Sequence, residues 1–115
     1  MIKKLSCVNI TSRNPKGLAK FYQTIGVPVF IQGCDYDGWH LGNPENEGSV
    51  CVWDENIWGK ATAGYITLVF EADDLQKTYE ELKNEGIDID PPRTADWGGQ
   101  ELISKDPDGN IVMIL

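Results

Sequence analysis

FEADDLQKTYEELKNEG, residues 70–86, is the stretch whose reading decides the fold. Phe70 lies near the end of a run, Tyr65 to Ala72, with the composition of a strand. Asp73 or Asp74 then supplies a side-chain oxygen for the bare N–H groups of a helix start. Leu75, Tyr79 and Leu82 recur at helical spacing, while Glu80, Glu81, Lys83, Asn84 and Glu85 form a wet face. Gly86 stops the helix, since glycine takes the left-handed cap conformation without a steric penalty. ITSRNPKGLAKFYQTIG, residues 10–26, has the same grammar. Asn14 before Pro15 starts a helix, Leu18, Phe21, Tyr22 and Ile25 make its apolar stripe, and Gly26 ends it. Laid on one another, Ile10 meets Phe70, Asn14 meets Asp74, Tyr22 meets Leu82 and Gly26 meets Gly86. Just outside the two stretches, Val8 meets Leu68 and Val27 meets Ile87.

A unit of about 55 residues that occurs twice predicts a pseudo-symmetric architecture. Outside the helices the chain alternates as strands do: Lys3 to Thr11, Val27 to Ile31, Trp39 to Leu41 and Ser49 to Asp54 in the first copy. The second copy reads Tyr65 to Ala72, Ile87 to Asp90, Gln100 to Lys105 and Ile111 to Leu115, with Pro91 and Pro92 ending its second strand. Gly33 to Gly38, Asn43 to Gly48 and Asp106 to Asn110 (DPDGN) are turns, and Glu55 to Gly64 is a loop between the copies. The fold class is therefore α+β, built from two βαβββ repeats. In the first strand Cys7, Asn9 and Thr11 share one face, opposite Leu5, Val8 and Ile10.

The 115 residues predict one domain, 1–115, with repeats over about 3–54 and 65–115. A net charge of -8 disfavours nucleic acid, whose phosphates would be repelled. It suits a cationic small molecule or serves solubility. No segment is long and apolar enough for a leader or a membrane span, so no membrane partner is expected. The three cysteines, Cys7, Cys34 and Cys51, are odd in number and irregularly spaced. They predict neither a disulfide framework nor a zinc knuckle, and the compartment expected is the cytoplasm.

The βαβββ order resembles the vicinal oxygen chelate superfamily, which includes glyoxalase I, extradiol dioxygenases and bleomycin resistance proteins. The residues that carry the resemblance are Phe21-Tyr22 with Gly26, Phe70 to Leu75, Leu82 with Gly86, Trp97-Gly98-Gly99 and Asp106 to Asn110. It implies that the two repeats form a curved mixed sheet around a cavity and that two chains form a homodimer. It also implies a divalent metal held by His and Glu from the first and last strands of each repeat. Here the first-strand positions are Cys7 and Thr67, the last-strand position of the second repeat is Met113, and the fourth falls within Val50 to Trp53. None carries its usual donor, so no metal and no cofactor are expected. Cys7 and Cys51 then read as small buried side chains or as donors to a soft metal.

Trp39, Trp53, Trp58 and Trp97 lie off both helical stripes. Flat aromatic walls suit planar or cationic ligands, although a small core also consumes tryptophan. Trp53 shares a face with Cys51, Trp97 falls near the cavity mouth by resemblance, and Trp58 is open to a dimer contact. His40, the sole histidine, is either a base or a structural residue. Glu101 and Glu71 would make a proton-transfer pair if they met. The expected ligand-binding set is Cys7, Asn9, Trp39, His40, Trp53, Thr67, Trp97, Glu101 and Met113, with no catalytic residue. The expected function is metal-independent sequestration of a small molecule, cationic or aromatic, in a Trp-lined cleft. The alternatives are a lyase, isomerase or dioxygenase with a non-standard site, and a regulatory domain with a vestigial cavity.

Overall fold

The computed structural model describes residues 1–30, 38–42 and 49–115. Most of the turn expected over Gly33 to Gly38 and all of that over Asn43 to Gly48 lie outside the described residues, as do Ile31 and Cys34. The chain divides into two compact units, Met1–Ala63 and Gly64–Leu115.

The first unit runs β1 (Cys7–Ser12), α1 (Pro15–Thr24), β2 (Val29–Phe30), β3 (Trp39–Leu41), β4 (Ser49–Asp54) and α2 (Glu55–Trp58). Its strands form one sheet in the order β1-β4-β3-β2, with β1 and β4 parallel and the other pairs antiparallel. The Asn14 side chain accepts from the Gly17 N–H, and Pro15 occupies the first turn, where a missing N–H costs nothing. Leu18, Ala19 and Tyr22 on α1 are buried, as are Ile10, Leu41 and Val52 on the sheet. Register places Ile10, Val52, Trp39 and Leu41 on one face, because directly opposed residues point the same way.

The second unit repeats the plan: β5 (Thr67–Phe70), α3 (Leu75–Asn84), β6 (Arg93–Thr94), β7 (Gln100–Lys105) and β8 (Ile111–Ile114), in the order β5-β8-β7-β6. Asp74 is the N-cap, its side chain accepting from the Lys77 N–H. Gly26 and Gly86 follow the two helices at φ 98° and 81°, where a Cβ would be strained. Leu82, Leu102, Val112 and Ile114 form the buried core of this unit. The fold is thus α+β, with two mixed sheets of identical strand order.

Several expected boundaries shift, among them β5, which is Thr67–Phe70 rather than Tyr65 to Ala72. β1 begins at Cys7 rather than Lys3, because its ladder with β4 starts at the Cys7–Ser49 pair, and Leu5 is exposed. The strand expected over Ile87 to Asp90 falls instead at Arg93–Thr94, beyond two prolines that can donate no ladder hydrogen bond. The Asp88 carbonyl is taken by the Ser104 hydroxyl, 3.0 Å. The loop after β4 opens with the short helix α2, capped by the Asp54 side chain on the Asn56 N–H and ended at Gly59. Beyond α2, Thr62 covers the outer edge of β1. Its hydroxyl accepts from the Thr11 N–H at 2.9 Å, while the Thr11 hydroxyl donates to the Lys60 carbonyl. The backbone N–H and carbonyl of Thr11 are thereby satisfied at this edge.

Candidate functional site

In the first unit, one sheet face gathers four of the expected residues, Cys7, Asn9, His40 and Trp53, with Cys51 among them. Register aligns Asn9 with Cys51 and Cys51 with His40, and Cys7 and Trp53 follow on the same face by alternation. Asn9 Oδ1 accepts from Trp53 Nε1 at 2.9 Å and from Cys7 Sγ at 3.6 Å. One amide oxygen therefore fixes both the indole and the thiol. Cys51 Sγ lies 3.2 Å from His40 Nδ1, with both residues buried. Trp53 packs edge-on against Trp58 of α2, ring centroids 4.7 Å apart and planes at 62°. The exposed Trp58 thus extends the aromatic surface of Trp53. Trp39 falls on the other face, with Leu41 and Val52, and does not join the row.

In the second unit, register places Thr67, Met113, Glu101 and Arg93 on a single sheet face, together with Val69, Ile103 and Ile111. Thr67 is exposed and Met113 half-buried. Glu101 is 5% exposed, and its carboxylate is held by Arg93: Nε and Nη2 donate to Oε1 at 3.1 and 3.0 Å. Trp97 Nε1 reaches the other oxygen, Oε2, at 3.5 Å. Glu101 thus finds Arg93 and Trp97 as its partners, and the exposed Glu71 stands beyond the end of β5. A groove of about 190 Å³ lined by Arg93, Thr94, Ala95, Asp96 and Glu101 adjoins this cluster.

The Trp97-Gly98-Gly99 run has a steric explanation. A Cβ on Gly99 would lie 1.9 Å from the Trp97 six-membered ring, so the indole rests directly on the glycine backbone. Gly98 sits at φ 96°, in a turn closed by the Gly98 N–H on the Ala95 carbonyl, 2.9 Å. Gly99→Ala is therefore expected to lift the indole away and break its contact with Glu101. Trp97 is already 63% exposed, so the stability cost should stay near 1 kcal/mol, while its fluorescence emission shifts to the red. An emission spectrum unchanged by the substitution would refute this packing.

Arg93 was not among the residues singled out by sequence. It becomes a partner of Glu101 only through the β6–β7 register. The His40–Cys51 contact was likewise hidden, whereas α2 had a readable signal in Asp54, an N-cap residue, followed by Gly59.

The family model for the Glyoxalase/Bleomycin resistance protein/Dioxygenase superfamily matches residues 7–114, and the chain belongs to that superfamily. Among solved structures it is similar to TnmS3, an antibiotic-binding protein from Streptomyces sp. CB03234: 20% identity, TM-score 0.75, 98% of this chain and 94% of that one covered. It is also similar to a bleomycin-binding protein complexed with bleomycin: 21% identity, TM-score 0.69, coverages 98% and 97%. A virulence protein from Salmonella typhimurium gives 18% identity, TM-score 0.76 and coverages of 99% and 96%. At these identities the likeness establishes the fold. A comparison with curated protein sequences finds no match.

The residues present do not fit the divalent metal that the superfamily's enzymes use. Cys7 donates to Asn9, Thr67 and Met113 offer a hydroxyl and a thioether, and β4 presents Cys51, already paired with His40. Among the described residues no three His, Cys, Asp or Glu side chains gather as ligands. An open-sited Mn, Fe, Ni or Zn centre needs imidazole and carboxylate donors at these places.

Proposed function

We propose that this chain is a metal-independent binding protein that sequesters a planar or cationic small molecule in a Trp-lined cleft, in the manner of bleomycin resistance proteins. The observation that carries the reading is the Asn9–Trp53–Trp58 arrangement: an indole fixed by a hydrogen bond at its polar end and buttressed at its edge. Pre-ordered aromatic surface binds with little loss of side-chain entropy. The net charge of -8 favours cations at long range. On the same face Asn9 and Cys7 supply further contacts, and His40 is buried among them. The reading includes one domain of residues 1–115 working as a homodimer in the cytoplasm, with protection against an antibiotic as its setting.

Tryptophan emission titrated with bleomycin and with a planar phenanthridinium cation tests it. The wild-type chain should show a saturable change that weakens as salt is raised. Trp53→Ala should raise Kd by about tenfold or more, equivalent to at least ~1.4 kcal/mol, while Trp53→Phe keeps most of the affinity. Absence of saturable change with either probe would sink the proposal.

A further inference from the structure

We propose that the groove beside Glu101 in the second unit is a subsite for a compact cation that donates N–H hydrogen bonds, such as a primary ammonium arm of a larger ligand. The proposal rests on the reading of this chain as a small-molecule binder, and it is independent of the Trp53–Trp58 surface.

The under-served group is Glu101. At 5% exposure its carboxylate is taken from water, and a buried anion needs good donors on both oxygens. The fork of an arginine commonly serves the two oxygens together. Here Nε and Nη2 of Arg93 both go to Oε1, at 3.1 and 3.0 Å. Oε2 receives only the Trp97 indole N–H, at 3.5 Å, beyond the usual range of about 2.7–3.2 Å for such a bond. The groove that Glu101 lines has room for the missing donor. Its volume of about 190 Å³ is below the roughly 300 Å³ at which drug-sized pockets begin, so it suits one functional group and not a whole ligand.

The ligand class follows from the lining. Arg93 cancels Glu101, and Asp96 leaves one negative charge over. Asp96 is exposed and has no hydrogen-bond or ion-pair partner among the described residues. The other polar groups are in use. The Ala95 N–H donates to the Gly99 carbonyl at 2.8 Å, and the Ala95 carbonyl accepts from the Gly98 N–H at 2.9 Å. The Thr94 hydroxyl accepts from Gln100 Nε2 at 2.9 Å. What the groove has to spare is carboxylate oxygen, on Asp96 and on Oε2 of Glu101. An ammonium brings three N–H donors on one positive charge and answers both. A quaternary ammonium matches the charge but leaves the oxygens unbonded, and an anion meets Asp96 with the wrong sign.

The test follows the Trp97 indole N–H of the full chain by NMR, its signal assigned with Trp97→Phe. Butylammonium is titrated at neutral pH and constant ionic strength. Butanol is the uncharged counterpart, and tetramethylammonium is the cation without N–H donors. Only butylammonium should give a saturable shift. Asp96→Asn should weaken its binding about threefold, and Glu101→Gln about tenfold. Glu80→Gln, on the exposed side of α3, removes the same charge elsewhere and should leave the affinity unchanged. If Glu101→Gln does not fold, Asp96→Asn, at an exposed position, decides the matter. No saturable shift, an equal shift from butanol or tetramethylammonium, or an affinity that Asp96→Asn does not lower would overturn the proposal. The two readings fail separately. Butylammonium has no ring to stack, so Trp53→Ala should not alter its binding, and a failed fluorescence titration discards the Trp53–Trp58 surface while the groove stands.

Discussion

Asn110→Ala is expected to lower the stability of the second unit by about 2–4 kcal/mol and its melting temperature by about 10–15 °C. Asn110 is fully buried in the turn between β7 and β8. Its backbone N–H and its Nδ2 donate to the two oxygens of Asp106, at 2.9 and 3.0 Å. Its Oδ1 accepts from the Gly64 and Ile66 N–H groups at 2.8 and 3.3 Å, which ties the turn to the approach of β5. Truncation to Ala removes one acceptor from two backbone donors and one donor from a buried carboxylate. Unmade hydrogen bonds in such a place cost more than made ones contribute. Pro107→Ala at the exposed tip of the same turn is the control and should cost less than about 1 kcal/mol. Thermal melts followed by circular dichroism decide it, and an Asn110→Ala curve that overlays the wild-type one would remove the turn from any structural role.

Tyr22→Ala should be more damaging still, at about 3–5 kcal/mol, through the cavity it leaves. Tyr22 has no exposed surface and packs edge-on with Phe21, ring centroids 5.3 Å apart. Its counterpart in the second unit, Leu82, is 4% exposed and should cost about 2–5 kcal/mol when cut to Ala. Tyr22→Leu makes the first helix resemble the second and should recover a large part of the loss. Urea denaturation measures all three. A midpoint for Tyr22→Ala within error of wild type would mean that α1 does not pin the first sheet.

The helices and the βαβββ order of elements along the chain were legible because their signals are local. Asn14-Pro15 and Asp74 cap where they stand, and Gly26 and Gly86 stop the helices whatever surrounds them. β6 was misplaced because Ile87 and Ile89 look like a strand, whereas pairing depends on which N–H groups can donate across the ladder. The candidate face was legible in part, since alternation alone puts Cys7 with Asn9 and Cys51 with Trp53. Alternation does not tell which neighbour stands opposite. That is why the His40–Cys51 contact, Arg93 on Glu101, and the side of the sheet on which Trp39 and Leu41 stand came only from register.

The parallel pairing of β1 with β4 has a consequence for the order of events in synthesis. The first strand of the unit waits beside an empty place until its neighbour, the last strand, has been made, with a helix and two other strands between them. Contacts so distant along the chain close slowly, because loop entropy is lost before any pairing compensates. During translation β1 therefore lacks its ladder partner until Asp54 has left the ribosome. The Thr62 latch on the edge of β1 follows within a few residues, so the strand gains its inner neighbour and its outer cover almost together.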